Sequence, residues 1–413
     1  MINLNSICVV GLGYIGLPTA AVFADAGLQV HGVDVNQSAV DSINAGKPHI
    51  VEPQLDALLL RVVESGKFEA FTKPQPADAF ILAVPTPFKN NHEPDLSYIE
   101  SAAKAIAPCL KVGDLVILES TSPVGATETL TDWLAEARPD LTFPNQKGEH
   151  SDIRVAHCPE RVLPGKILDE VVNNARVIGG MTRRCTTTAI SLYQMVVNGP
   201  CHFANARTAE MAKLTENAFR DVNIAFANEL SVICDELNIN VWELIKMANL
   251  HPRVDILSPG PGVGGHCIAV DPWFIISKPP KTSALIKQAR NINDNKPEWV
   301  VDKIRSKAGL LKKPVIACLG LAYKPNVDDL RESPSIEILQ KLADLNVGEI
   351  LVVEPHIDIL PSAFDKKNIV LEDFDVALEK ANVVVLLVNH EIFQFVNREK
   401  LNDKIVIDTC GGW

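Results

Sequence analysis

A wholly apolar strand running straight into a glycine turn constrains this chain more than any other feature. Ile7-Cys-Val-Val10 passes without a spacer into Gly11-Leu-Gly13-Tyr14-Ile15-Gly16, and an alanine-rich helix is expected over 19–26. Strand, GxGxxG and helix in that order specify a dinucleotide-binding βαβ unit. The first glycine makes the tight turn, the second admits a pyrophosphate close to the backbone, and the third lets helix pack on strand. A second strand, Val30-His-Gly-Val33, ends in Asp34. A carboxylate at that point meets the adenosine ribose hydroxyls and repels a 2′-phosphate, so NAD is expected rather than NADP. The competing reading is a structural glycine turn beside a surface aspartate.

Alternation of strands and helices continues through Ala79-Phe-Ile-Leu-Ala-Val84, Leu115-Val-Ile-Leu118 and Ile153-Arg-Val-Ala156. The fold class is therefore α/β with a doubly wound parallel sheet. Ligands of such sheets lie beyond the carboxyl ends of the strands, which places Pro85, Thr86 and Thr121 near cofactor or substrate. The loop after the last of these strands carries Glu160 and Arg161. Ordinary loop chemistry accounts equally well for either threonine taken singly.

From Thr208 to Leu237 the pattern is helical without Gly or Pro, which predicts a helix of roughly 45 Å at ~1.5 Å per residue. Glu210, Lys213 and Asn217 share one face of it, as a solvated Glu-Lys pair or as groups aimed into a cleft. A helix this long is also a natural spine for a dimer. After it comes Pro261-Gly-Val-Gly-Gly-His-Cys267-Ile-Ala-Val-Asp271-Pro272. The glycines let the backbone approach a ligand, so the loop reads as a cradle. Asp271 reads as an N-cap with Pro272 at the first helical position. Cys267 ahead of that helix is a candidate nucleophile, because a thiol near a helix N-terminus ionises more readily. An inert buried cysteine is the alternative.

Past Lys312-Lys-Pro314 the chain repeats its opening: Val315-Ile-Ala-Cys-Leu319 leads into Gly320-Leu-Ala-Tyr323, echoing Gly11-Leu-Gly-Tyr14. Strands follow at 349–354, 383–388 and 405–408. This is a second Rossmann-like half without the full glycine fingerprint, with Lys324 and Arg331 in its first loop, where an anionic ligand would sit. Three regions are expected: 1–204 binding the dinucleotide, a central helical region 205–308 that joins the halves and dimerises, and 309–413 as the second Rossmann-like domain.

At 413 residues the chain exceeds what one core usually serves. A net charge of −12 argues against a nucleic-acid partner. Nine cysteines without paired spacing point to thiols in a reducing compartment rather than disulfides or zinc, and no metal is expected. The start carries no basic stretch and no apolar run is long enough to span a bilayer, so a cytoplasmic protein without membrane association is expected.

With these pieces in order, the chain resembles the UDP-glucose/GDP-mannose dehydrogenase family over nearly its whole length. The resemblance rests on Gly11 through Pro18, Ser120-Thr-Ser-Pro-Val-Gly125, Glu210-Met-Ala-Lys213-Leu-Thr-Glu-Asn217, Gly264-Gly-His-Cys267 with Asp271, and Lys324 through Pro334. It implies oxidation of the C6 hydroxyl of a UDP-sugar to a carboxylate with two NAD and one water, through a thiohemiacetal and thioester on Cys267. It further implies oxyanion stabilisation by Lys213 and Asn217, water activation by Asp271 with Thr121, and a carboxylate base in Glu160. Gly11, Gly13, Tyr14, Ile15, Gly16, Asp34, Pro85, Thr86, Thr121 and Arg331 are implied for the cofactor. Arg161, Val162, Lys213, Asn217, Arg253, Gly264 and Lys324 are implied for the substrate, Arg253 reaching that of a neighbouring subunit in at least a homodimer.

Relatives acting on UDP-glucose carry an acid where this chain has Pro164, and an arginine near the carboxy-terminal end that Asp408-Thr-Cys-Gly-Gly-Trp413 lacks. Cys158-Pro-Glu-Arg-Val-Leu-Pro-Gly165 resembles instead the branch that oxidises N-acetylated sugars, which implies UDP-N-acetyl-D-mannosamine as substrate and a place in surface polysaccharide biosynthesis. UDP-N-acetylglucosamine and UDP-glucose are the alternatives. A two-electron hydroxyacid dehydrogenase or an NAD-sensing scaffold would share the fingerprint but leave Cys267 without a task.

Overall fold

The computed structural model describes residues 4–413 apart from 90, 91, 164, 266, 279–281, 366 and 367. The chain divides into two compact units, Met1–Glu216 with Trp273–Pro279, and Asn217–Pro272 with Pro280–Trp413.

The first unit is built on eight strands: β1 (Ser6–Val10), β2 (Gln29–Val33), β3 (Phe68–Phe71), β4 (Ala79–Leu82), β5 (Leu115–Leu118), β6 (Arg154–His157), β7 (Arg176–Gly180) and β8 (Cys201–Asn205). Their order is β3-β2-β1-β4-β5-β6-β7-β8. Successive side chains of a strand face opposite ways. Ile7 and Val9 accordingly join a core with Leu17 and Phe23, while Cys8 and Val10 join one with Ile99 and Leu130. Both faces are covered, and the strand order reverses between β1 and β4, where the glycine turn emerges.

The sheet is mixed rather than wholly parallel, because β6 and β7 pair antiparallel with Ala156 opposite Gly180. An antiparallel neighbour needs no crossover. The connection from β6 to β7, with its short helix Ile167–Asn173, therefore leaves and returns at the same end of the sheet. That end is the carboxyl end of β5 and β6, so the loop carrying Glu160 stays on the ligand-binding side.

The helix Ala206–Leu237 follows β8 directly, and Asn205 Oδ1 accepts from Thr208 N in its first turn. The division between the units falls within this helix. In the second unit its later turns pack against the helix Ala284–Ala308 through a buried polar seam. Arg290 reaches Asp221 at 2.6 Å, and Asn228 donates to Asn293 at 2.9 Å. Such pairs add little net stability, but removing one partner strands the other in low dielectric, and so they hold the register of the two helices.

The second sheet has five parallel strands, β9 (Val315–Leu319), β10 (Glu349–Val353), β11 (Ile369–Leu371), β12 (Val383–Leu386) and β13 (Ile405–Asp408), in the order β11-β10-β9-β12-β13. Its order reverses between β9 and β12, so the loops after these two strands face its ligand-binding crevice. No helix among the described residues is long and apolar enough to cross a membrane.

Candidate active site

At the first glycine turn, φ of Gly11 is 93°, and a Cβ there would lie 2.5 Å from the Ala83 carbonyl oxygen. Only glycine fits. Above Gly13 a Cβ would meet nothing within 4 Å, so the space over it is clear. The helix Gly16–Asp25 begins after Ile15, whose side chain makes no capping bond, and Tyr14 is exposed beside it. A helix start that no side chain caps, with open space over the glycine before it, suits a pyrophosphate. Asp34 closes β2: its Oδ2 accepts from Leu12 N at 3.1 Å and its Oδ1 from Asn36 N at 2.9 Å, which fixes the carboxylate at the strand end. Thr86 Oγ1 donates to the Thr121 carbonyl at 2.6 Å, joining the loops after β4 and β5, with Pro85 exposed beside it. These residues fit a dinucleotide.

The long helix brings three polar residues into buried positions, Glu210, Lys213 and Asn217, so the solvated-face reading fails. Glu210 does not serve as the partner suggested by its spacing. Its carboxylate accepts from Gly125 N at 2.7 Å and from Thr127 N and Oγ1 at 2.8 and 2.6 Å, capping the helix Ala126–Ala137. Gly125 at that helix start has no side chain to cap with, and that is the signal in the sequence that could have revealed the role. Lys213 Nζ instead stands 3.3 Å from Glu160 Oε1, while Glu160 Oε2 accepts from Val162 N at 2.8 Å. Arg161 is held by Glu216, with a 2.6 Å ion pair, and by the Ala175 carbonyl. Pro164 lies outside the described residues.

In the second unit Asn217 Nδ2 donates to Asp271 Oδ2 at 2.6 Å. The helix Asp271–Ser277 opens on Asp271 itself, one position earlier than an N-cap reading places it, and the Cys267 carbonyl accepts from Val270 N and Asp271 N at 3.1 and 2.9 Å. Cys267 is exposed, whereas Cys8, Cys158, Cys185, Cys234 and Cys318 are buried. Burial pushes the thiols of Cys8, Cys158 and Cys318 up to about 12, which leaves them inert.

The glycines before Cys267 have a protein partner. A Cβ on Gly262 would lie 2.8 Å from Pro334, one on Gly264 would collide with the Glu332 carbonyl and Pro334, and one on Gly265 would lie 2.9 Å from the Tyr323 ring. The expected ligand cradle is thus a seat: the loop packs onto residues 323–334. Tyr323, missed from sequence except as an echo of Tyr14, forms the part of that seat against Gly265, two residues before Cys267. Lys324 Nζ stands 5.6 Å from the centroid of the Tyr323 ring. Arg331 is clamped to Asp329 by bonds of 2.8 and 2.7 Å, and Arg253 is exposed in the loop after the helix Val241–Ala248.

An open glycine turn at a sheet's switch point, closed by a strand-end aspartate, defines the cofactor half of a dinucleotide-dependent dehydrogenase. Residues 5–197 match the NAD binding domain of the UDP-glucose/GDP-mannose dehydrogenase family, residues 207–295 its central domain and residues 317–413 its UDP binding domain. The chain belongs to this family and is an NAD-dependent oxidoreductase of the UDP-sugar dehydrogenase class. It is 61% identical over 412 residues to the NDP-N-acetyl-D-galactosaminuronic acid dehydrogenase of Ralstonia nicotianae, covering 100% of this chain and 97% of that one. It is also 61% identical over 403 residues to the UDP-N-acetyl-D-mannosamine dehydrogenase of Campylobacter jejuni, covering 97% and 99%. A solved UDP-D-ManNAc dehydrogenase from Pyrococcus horikoshii superposes with a TM-score of 0.88 at 37% identity, over 99% of this chain and 96% of that one.

Proposed function

We propose that this chain oxidises the C6 hydroxyl of UDP-N-acetyl-D-mannosamine to the carboxylate by a four-electron reaction, through a covalent intermediate on Cys267. The alcohol, one water and two NAD give the carboxylate, two NADH and three protons. The observation that carries this reading is that Cys267 is exposed beside the buried Asn217–Asp271 pair. NAD, when bound, accepts the hydride of each oxidation; the protein's own groups do the rest.

The Cys267 thiolate adds to the C6 aldehyde, and the resulting thiohemiacetal is oxidised to a thioester that cannot escape. Asn217 has two amide hydrogens and gives one to Asp271, so the other is available to a developing oxyanion. Lys213 directs one of three hydrogens toward Glu160 and supplies a second oxyanion donor; such donors are often worth ~3 kcal/mol each. Asp271, with Thr121, orients the hydrolytic water and takes its proton, and Glu160 is a second carboxylate base for the same step. Lys324, Arg253, Arg161, Val162 and Gly264 contact the UDP-sugar, and Arg331 the cofactor.

The regions 1–204, 205–308 and 309–413 serve as cofactor, dimerisation and sugar-nucleotide domains. A homodimer is supported by Phe219, Phe226 and Ile233, exposed at seven-residue spacing on the long helix. Surface polysaccharide synthesis in the cytoplasm completes the reading. A second reading, a galacto-configured N-acetylated sugar, is favoured by the Ralstonia relative. Incubation with NAD and UDP-sugars of manno, galacto and gluco configuration tests both. Two NADH per sugar and the highest kcat/KM for the manno substrate are expected; one NADH per sugar, or preference for another sugar, would reject the corresponding part.

A further inference from the structure

Glu354 follows β10 and occupies in the second sheet the place of Asp34 in the first: Gly320 N donates to Val353 O as Gly11 N does to Val33 O. Its carboxylate is, however, fully engaged by the protein. Oε2 accepts from Leu321 N at 2.6 Å and Ala322 N at 3.1 Å, and Oε1 from His356 N at 3.1 Å. His390, just beyond β12 and wholly buried, places Nε2 at 3.1 Å from the same Oε2. Glu354, His356 and His390 offer ligand atoms within 4.8 Å of one another, but His390 has no nitrogen to spare for a metal. Its Nδ1 accepts from Asn326 N at 2.9 Å, so the hydrogen resides on Nε2 and is donated to Glu354.

Asn326 is a left-handed residue, with φ of 60°, in the loop that follows β9. It is clipped twice to the segment that follows β12, by its amide to His390 and by its Oδ1, which accepts from Glu391 N at 3.0 Å. The same loop carries Lys324, and the segment 323–334 is the seat of the Cys267 loop. Since Glu354 already accepts from three backbone amides, the histidine is not needed to satisfy it. The carboxylate instead fixes the tautomer and ring orientation that let Nδ1 accept, much as an outer carboxylate orients a working imidazole.

We propose that His390 is a positioning residue: held by Glu354, it pins Asn326 and thereby the 323–334 segment that presents Lys324 to the UDP-sugar and seats the Cys267 loop. This rests on the roles given above to Lys324 and Cys267. The two ring nitrogens can be replaced separately. In His390→Gln the amide nitrogen takes the place of Nε2 and keeps Glu354 but offers Asn326 no acceptor. In His390→Asn the oxygen takes the place of Nδ1 and keeps Asn326 while losing Glu354.

The full chain and both variants are titrated calorimetrically with UDP, and hydrogen exchange is followed in peptides covering 323–334. His390→Gln is expected to weaken UDP binding roughly tenfold, the upper scale of one hydrogen bond lost, and to speed exchange in 323–334. His390→Asn should stay within about threefold of wild type on affinity and keep the slow exchange. Equal loss in both variants would reduce His390 to a structural residue, and wild-type affinity and exchange in His390→Gln would remove it from the site; either overturns the inference. If the wild type itself bound no UDP, the reading of the site would fail, and the exchange contrast between the variants would still decide the role of His390.

Discussion

Asn217 and Asp271 are joined by a 2.6 Å hydrogen bond between two buried side chains, one on the long helix and the other at the first position of the helix after Cys267. The bond fixes which way the asparagine amide points, and it leaves one amide hydrogen that Asp271 does not use. Asn217→Ala is expected to lower kcat by roughly 10²- to 10³-fold, the usual cost of removing an oxyanion donor. KM for the UDP-sugar should change far less, because the donor matters only as charge develops. Steady-state kinetics on the folded variant check this; a kcat within a few-fold of wild type would exclude Asn217 as a catalytic donor.

Cys267→Ala separates binding from chemistry. The glycine seat and the first-unit turn do not depend on the thiol, so NAD and UDP should bind as in wild type by calorimetry. Net oxidation to the acid should fall by several orders of magnitude, because the aldehyde is no longer held for the second oxidation. A hydrazine reagent should then trap an aldehyde that wild type never releases. Near-normal turnover with two NADH per sugar would make the cysteine structural.

Why some of this was legible in the sequence and some was not follows from how local each signal is. A fully apolar strand entering GxGxxG has one economical reading, and β1, its helix and Asp34 lie where that reading puts them. β7 was not seen, because Arg176-Val-Ile-Gly-Gly180 carries a charge and two glycines. Arg176 is buried there against Glu119 and Tyr193, contacts remote in sequence. β8, at the sheet edge, is largely exposed and lacks an apolar face. The antiparallel entry into β7 was invisible for the same reason. At the site, residue types pointed to Lys213, Asn217 and Cys267, but partners did not follow from spacing. Glu210 looked like the mate of Lys213 and in fact caps another helix, while Glu160 takes its place. The glycines of 262–265 announced close approach without saying to what, and the answer, residues 323–334, lies some sixty positions on.

The exposed stripe Phe219, Phe226 and Ile233 predicts where two copies of the chain meet. Residues seven apart on a helix share a face, and such an apolar row is covered in stable proteins. Phe226→Glu should therefore shift the protein to monomer in sedimentation velocity at micromolar concentration, while a charge change at exposed Arg220, Arg220→Glu, which lies round the helix from that row, should not. A dimer of undiminished strength in Phe226→Glu would place the interface elsewhere.

Glu119, at the end of β5, predicts how the first unit responds to pH. It is fully buried, with Oε1 at 3.4 Å from Arg176 and at 3.2 Å from the Tyr193 hydroxyl, and its Oε2 has no hydrogen-bond partner among the described residues. Burial pushes its carboxyl from an ordinary 4.5 up to about 7, against the pull of Arg176 and Tyr193. Between those two values the folded chain holds a proton that the unfolded chain has released. The contribution of this group is therefore complete below pH 4.5 and is lost as pH rises through about 7. Glu119→Gln keeps an acceptor for Arg176 and Tyr193 and removes the titration. Relative to wild type, the variant should gain about 2–3 kcal/mol in stability between pH 5 and pH 8, so that it matches or exceeds wild type at the upper end. Denaturant unfolding of both proteins at the two pH values measures the change. An unchanged stability difference across that range would mean that Glu119 keeps an ordinary carboxylate titration in the folded chain, and that Arg176 offsets its burial in full.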